Sequence, residues 1–119
     1  GIEFSQELCE AAQRNADAFD KAGQLKAPIE IVCTDAVLYN YQGDENIFYF
    51  FYPFDADLMI RVLDSIDTSL QAHPRDAVLV YYYPIHRETL DERASFSLEQ
   101  TFELYGYDCL VYRHLRESA

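Results

Sequence analysis

Ile47-Phe48-Tyr49-Phe50-Phe51, then Pro53, then an apolar stripe at Met59, Val62, Leu63, Ile66 and Leu70, then Ala77-Val78-Leu79-Val80-Tyr81-Tyr82-Tyr83 closed by Pro84: this run decides the fold. β-branched and aromatic residues favour extended backbone, and each proline lacks the amide that a continuing strand would need. Between the two strands the stripe recurs at the spacing of one helix face, opened by Asp55 with Asp57 and stopped near His73-Pro74. Neither strand alternates polar with apolar residues, the pattern of a strand covered on both faces. Both are therefore expected at the centre of a sheet.

On the amino-terminal side, Pro28 begins a further β-branched strand, Ile29-Glu30-Ile31-Val32-Cys33-Thr34, which ends at Asp35-Ala36. Ahead of it Ser5 reads as an N-cap with Gln6 and Glu7 in the first turn, and Leu8, Cys9, Ala12, Ala16 and Phe19 follow at helical spacing up to Gly23. Gly1 to Phe4 is too short to assign by pattern. On the carboxyl-terminal side a short helix is expected from His86 to Arg93. Phe96, Leu98, Phe102 and Leu104 should then pair, across a turn at Gly106, with Cys109-Leu110-Val111-Tyr112. Strands alternating with helices and closing on a hairpin predict an α/β fold: a three-layer, Rossmann-like sandwich with a mostly parallel sheet and a C-terminal antiparallel hairpin. No repeat or linker divides the chain, so residues 1–119 read as one domain.

Composition removes several functions. The 119 residues hold 9 Lys+Arg against 21 Asp+Glu, a formal charge of −12, with no basic stripe to reverse that field locally, so nucleic acid is not an expected partner. The longest apolar stretches, Ile47 to Phe54 and Ala77 to Ile85, are too short to span a bilayer, so no membrane partner is expected. No basic start followed by an apolar segment marks a secretory signal. Cys9, Cys33 and Cys109 are odd in number and lack C-x-x-C spacing, which argues against a disulfide framework or a zinc site and for three thiols in a reducing, cytoplasmic setting.

Ligands of open parallel sheets bind outside the carboxyl ends of the strands. The residues there are Glu3-Phe4, Asp35-Ala36, Tyr52-Pro53-Phe54 and Pro84-Ile85-His86. A carboxylate between a strand and a helix can accept both hydroxyls of a ribose, which suits Glu3; the plain alternative is an exposed glutamate in a helix-leading turn. Asp35 could accept from an exocyclic amine, or cap the next turn through backbone amides. Tyr52-Pro53-Phe54 offers a rigid aromatic wall for a flat or cationic group, or ordinary core packing. His86 could be a general base or a helix cap. Tyr81-Tyr82-Tyr83 is weighed as core, since alternate side chains face opposite layers. His73 and His114 have no neighbouring ligand set, so no metal is expected.

Gly1-Ile2-Glu3-Phe4-Ser5-Gln6-Glu7-Leu8, with Ala12 and Asn15, resembles the second strand and following helix of class I S-adenosylmethionine-dependent methyltransferases, written G-[VI]-[DE]-x-S-x-x-L. Asp35-Ala36 resembles that family's adenine-contacting acid, and Phe50-Phe51-Tyr52-Pro53-Phe54-Asp55 resembles its Asn-Pro-Phe-type strand end beside the methyl group. The resemblance covers nearly the whole chain by order of elements. It implies S-adenosylmethionine as cofactor, with Glu3, Phe4, Asp35, Ala36 and Phe51 at the cofactor and Tyr52, Pro53 and His86 at the chemistry. Two departures stand out. The family's first strand, its G-x-G-x-G loop and its first helix have no counterpart ahead of Glu3, so the resemblance implies a truncated domain that binds cofactor poorly and is inactive alone. Its sheet would need an upstream segment or a second copy to complete it. Tyr52 stands where the family usually carries Asn or Asp, which disfavours adenine or glutamine N-methylation. The acceptor is then expected to be a small molecule or a protein side chain. The rival readings are a non-catalytic fold relative that binds a partner, and a nicotinamide-dependent Rossmann enzyme, against which the closing hairpin counts.

Overall fold

The computed structural model describes residues 1–24, 26–51 and 55–116; the expected strand end at Tyr52-Pro53-Phe54 lies outside the described residues. The chain forms two compact units, Gly1–Asn40 and Tyr41–Ala119.

The first unit contains strand β1 (Ile2–Glu3), helix α1 (Gln6–Lys21), strand β2 (Val32–Cys33) and a 3-10 turn at Ala36–Leu38. Helix α1 starts where its signals place it: the Ser5 side chain accepts from the Leu8 amide, and Glu7 lies in the positive first turn. It stops because Gly23 takes φ 68°, a left-handed conformation that costs glycine little. The Gly23 amide then donates to Asp20 O and the Gln24 amide to Phe19 O, both at 3.0 Å, satisfying two carbonyls of the last turn. Strands β1 and β2 are parallel, Ile2 opposite Val32 and Glu3 opposite Cys33. The expected strand from Ile29 to Thr34 is therefore shorter than its composition suggested, because β1 offers only two residues to pair with. Cys9, in the first turns of α1, is joined to Cys33, at the end of β2, by a disulfide. This corrects the reading of three separate thiols: an odd count says nothing about which two cysteines the fold brings together. Cys109 alone is a free, buried thiol among the described residues.

The second unit contains β3 (Ile47–Phe51), α2 (Ala56–Ala72), β4 (Ala77–Tyr82), α3 (Glu88–Asp91), β5 (Ser97–Leu104) and β6 (Tyr107–His114), with its sheet ordered β3-β4-β6-β5. Strands β3 and β4 are parallel, from Ile47 opposite Val78 to Phe51 opposite Tyr82, while β6 runs antiparallel to both β4 and β5. The sheet is mixed, and its antiparallel pairings come from the C-terminal hairpin that the sequence led us to expect. The closing hairpin inserts its second strand beside β4, so β6 alone runs against the direction that β3, β4 and β5 share.

Met59, Val62, Leu63, Ile66 and Leu70 of α2 are all buried, as are Ala77, Leu79 and Tyr81 of β4 and Leu110 and Tyr112 of β6. Burial of each aliphatic side chain in that stripe contributes roughly 1.5–3 kcal/mol. Asp55 caps the helix, its side chain accepting from the Leu58 amide at 2.9 Å. The far end is held by Arg75, which donates to Ser69 O and His73 O on one side and to Glu45 O, ahead of β3, on the other. Gly43 lies close by at φ 90°, where a Cβ would come within 2.8 Å of the His73 ring. Helix α3 is one short turn, not the His86–Arg93 helix expected, because the His86 carbonyl accepts from Thr89 and closes a turn first.

One expectation about the sheet is corrected. Strand β4 is interior, but β3 is an edge strand, and Ile47, Tyr49 and Phe51 are 69%, 61% and 54% exposed while Phe48 is buried. An unbroken apolar run shows that both faces of a strand are apolar; it does not show that both are covered.

Candidate active site

Glu3 and Asp35 stand at the same, carboxyl, end of the two-stranded ladder, linked through the Thr34 amide, which donates to Glu3 O at 2.9 Å. Both side chains fold back onto their own backbone. Glu3 Oε1 accepts from the amides of Phe4 at 3.1 Å and Ser5 at 3.0 Å, which fixes the turn into α1. Asp35 Oδ1 accepts from the Val37 amide at 3.0 Å and caps the 3-10 turn that Ala36 begins. The capping roles are thus real, yet each carboxylate has a second oxygen, Glu3 Oε2 and Asp35 Oδ2, with no hydrogen bond among the described residues. Phe4 extends into solvent at 77% exposure. The disulfide ties the start of α1 to β2 one residue before Thr34 and so constrains the relative placement of these two acids.

At the corresponding end of the second unit, Phe51 stacks on Tyr82, ring centroids 5.4 Å apart. Tyr52 and Pro53, the expected chemistry residues, lie outside the described residues. His86 is held by its backbone: its amide donates to the Tyr81 hydroxyl at 3.2 Å, and its carbonyl accepts from the Thr89 amide and hydroxyl. Its imidazole Nδ1 lies 3.7 Å from the exposed Glu88 Oε1, beyond hydrogen-bond distance. The His86 backbone fulfils the turn-closing role.

Sequence reasoning assigned two further tyrosines to the core. Tyr83 adopts φ 56°, a conformation bulky residues avoid, and packs edge-on against Tyr107 with centroids 4.3 Å apart. Tyr82 is half-buried, not core: its hydroxyl donates to Leu104 O at 2.5 Å, and desolvation, with Tyr107 and Tyr49 nearby, raises its pKa. The signal that could have found them is Pro84, which forces the strand to stop and turns Tyr83 out of the alternating register.

Behind this end lies a chain of hydrogen bonds that runs from the buried Tyr112 to the surface. The Tyr112 hydroxyl donates to Asp91 Oδ1 at 2.6 Å, and Arg87 Nε donates to Asp91 Oδ2 at 2.8 Å. Burial would raise the Asp91 carboxyl, but the hydrogen bonds from Arg87 and Tyr112 override it and leave the group below its ordinary value. Burial, reinforced by the bond to Asp91, pushes the Tyr112 hydroxyl well above its own.

A cavity of about 400 Å³ in the first unit, lined by Asp17, Asp20, Lys26 and Pro28, sits by the last turns of α1 and the approach to β2, at the opposite end of the ladder from Glu3 and Asp35. No group of three or more His, Cys, Asp or Glu side chains is placed to hold a metal among the described residues. Nor is any described helix long and apolar enough to cross a membrane.

No family model matches the chain, and no curated protein matches it by sequence. Solved structures do resemble it. One is a provisionally named methyltransferase, yhhF, from Escherichia coli, with a TM-score of 0.65 and 16% identity over 98% of this chain and 63% of that one. Another is a provisionally named methylase, HI0767, from Haemophilus influenzae, with a TM-score of 0.60 and 10% identity over 97% of this chain and 71% of that one. The chain spans less than two thirds of the E. coli protein's length. At these identities the likeness is one of fold: this chain has a class I methyltransferase-like α/β fold.

Proposed function

We propose that the chain is an S-adenosylmethionine-dependent methyltransferase domain acting on a small molecule or a protein side chain. The observation that carries this reading is the pair of acids at the carboxyl end of β1 and β2, each held by its own backbone and each with an oxygen to spare. A fixed carboxylate oxygen is what ribose hydroxyls and an adenine amine need as an acceptor, so the residues fit the cofactor. Glu3 Oε2 accepts from the ribose, Phe4 flanks the base, and Asp35 Oδ2, with Ala36, reads the edge of the base. When bound, the cofactor supplies a sulfonium-activated methyl group, which the acceptor's lone pair attacks in line as the carbon–sulfur electron pair returns to sulfur. Such a displacement depends chiefly on alignment. By the resemblance, Phe51 would lie at the cofactor, Tyr52 with Pro53 would border the methyl, and His86 would take a proton from an acceptor that must lose one.

Glycine occurs in these 119 residues at positions 1, 23, 43 and 106, so residues 1–119 by themselves supply no glycine-rich loop, and their own affinity for the cofactor is expected to be weak. Among the described residues β1 pairs only with β2, and β3 only with β4. The open edges of β1 and β3 are where a further strand, from another segment or a second copy, adds. Calorimetry with S-adenosylhomocysteine tests the reading: Glu3→Gln should weaken binding by about 5–150-fold, the equivalent of roughly 1–3 kcal/mol for hydrogen bonds to a charged group. Unchanged affinity removes Glu3 from the site. The exposed apolar face of β3 favours a second reading, a non-catalytic binding module. That reading predicts no saturable binding of S-adenosylhomocysteine at all.

A further inference from the structure

A second cavity, about 310 Å³, opens at the carboxyl end of β4 and lies wholly within the second unit. Its walls are of two kinds. Pro84, Ile85 and the crossed rings of Tyr83 and Tyr107 make an apolar side, while Arg87 and Asp108 put one positive and one negative charge on its rim. It is an open groove, and its aromatic wall is braced by backbone hydrogen bonds. The left-handed Tyr83 backbone is held from both directions, its amide donating to Asp108 O and its carbonyl accepting from the Ile85 amide, each at 3.0 Å. Strain of this kind persists only where the surroundings enforce it. Arg87 is aimed by the hydrogen bonds behind it: Nε is committed to Asp91, itself bonded to the buried Tyr112, which leaves both terminal nitrogens without a partner among the described residues. Asp108 is near enough for its charge to act on the Arg87 guanidinium.

The charge pair selects the ligand. A simple anion would be drawn to Arg87 and repelled by Asp108, and a simple cation would meet the reverse. A molecule carrying both charges on adjacent atoms satisfies both. We propose that this cavity binds a zwitterionic α-amino acid with a flat or apolar side chain. The carboxylate lies on the terminal nitrogens of Arg87, the ammonium faces Asp108, and the side chain rests against Tyr83, Tyr107 and Pro84. The volume is at the small end of ligand pockets, as such a molecule requires. The site stands independently of methyl transfer, since it uses none of the residues assigned to the cofactor.

The test is a titration of the full chain, without cofactor, followed by amide and tyrosine ring resonances. The probes are L-phenylalanine, 3-phenylpropionate, which lacks the ammonium, phenethylamine, which lacks the carboxylate, and L-alanine, which lacks the ring. L-Phenylalanine should saturate in the millimolar range or tighter, with shifts at Tyr83, Arg87 and Tyr107, and each analogue should bind at least tenfold more weakly. Arg87→Gln should abolish the preference for L-phenylalanine over phenethylamine, and Asp108→Asn the preference over 3-phenylpropionate. Equal binding by any analogue on the unsubstituted chain, or no saturable shift at these residues, overturns the proposal. Because the analogue series uses the unsubstituted protein, a variant that fails to fold does not rescue it. Because no cofactor is present, failure here leaves the methyltransferase reading where it stood.

Discussion

Removing Arg93 should unfold the second unit more readily than removing any other single surface charge, and the structure says by how much. Nη1 of Arg93 lies 2.7 Å from Asp67 Oδ2 and 2.9 Å from Asp64 Oδ1, which staples the turn after α3 to the middle of α2. The two acids are not equivalent. Asp64 is 64% exposed, so its share is that of a surface pair, under about 1 kcal/mol. The Arg93 and Asp67 side chains are only 16% and 20% exposed, and Asp67 Oδ1 is already buried without a partner. Without Arg93 the Asp67 carboxylate would be left charged and unpaired in a poorly solvated place. Breaking a fully buried pair costs about 3–5 kcal/mol; discounted for residual water access, Arg93→Met should cost roughly 2–4 kcal/mol. Against a typical total of about 5–15 kcal/mol this is a large fraction. Urea unfolding followed by circular dichroism measures it. Asp64→Asn should cost under about 1 kcal/mol. The Arg93→Met/Asp67→Leu double variant should be more stable than Arg93→Met alone, because the stranded charge is gone. An Arg93→Met cost no greater than that of Asp64→Asn, or strictly additive double-variant losses, would refute the reasoning.

Four further outcomes follow from the same structure. Thiol titration of the unfolded, unreduced chain should find one thiol, Cys109, and three after reduction; with a sequence separation of 24, opening Cys9–Cys33 should cost about 3.5 kcal/mol by loop-closure entropy, read as a lower urea midpoint for α1. Asp91 is held below its ordinary carboxyl value in the fold, so its contribution is present above about pH 4 and fades as pH falls through the lowered value; Asp91→Asn should flatten the acid limb of a stability profile, which a steep unchanged limb would contradict. The raised Tyr112 hydroxyl works at the other end, with its contribution intact below about pH 10 and lost above it. Finally, Tyr49→Lys, placed on the exposed face of edge strand β3, should reduce self-association in sedimentation without changing thermal stability by more than about 0.5 kcal/mol, whereas a large loss of stability would mean the face is covered.

Much of this architecture was legible in the residues because local signals agreed with one another. Ser5 and Gly23 bound α1 as a cap and a left-handed stop should, and the α2 stripe is buried at every position read from its spacing. The errors share one cause: pattern reports what a segment offers, and pairing decides what it receives. Ile29 to Ile31 have strand composition but too few opposing residues in β1, and β3 is apolar on both sides with one neighbour among the described residues. The mixed direction of the sheet depended on where the final hairpin inserts, which no local window contains. The disulfide was invisible for the same reason, since Cys9 and Cys33 meet only after α1 folds back along β2. For the candidate site, the sequence located Glu3 and Asp35 at strand ends and left capping and binding as rival roles; the structure gives one oxygen of each acid to the cap. It did not locate the cavity of Tyr83, Arg87 and Tyr107, because that cavity arises from a strained turn and a hairpin far apart along the chain.

The most direct test of the central claim is an amide-resonance titration with S-adenosylhomocysteine, read at two places in the first unit. Saturable, concerted shifts at Glu3 to Ser5 and at Asp35 to Val37, weakened together by Glu3→Gln, are what the account predicts. Saturable shifts confined to other parts of the chain, or none at either acid, would contradict it.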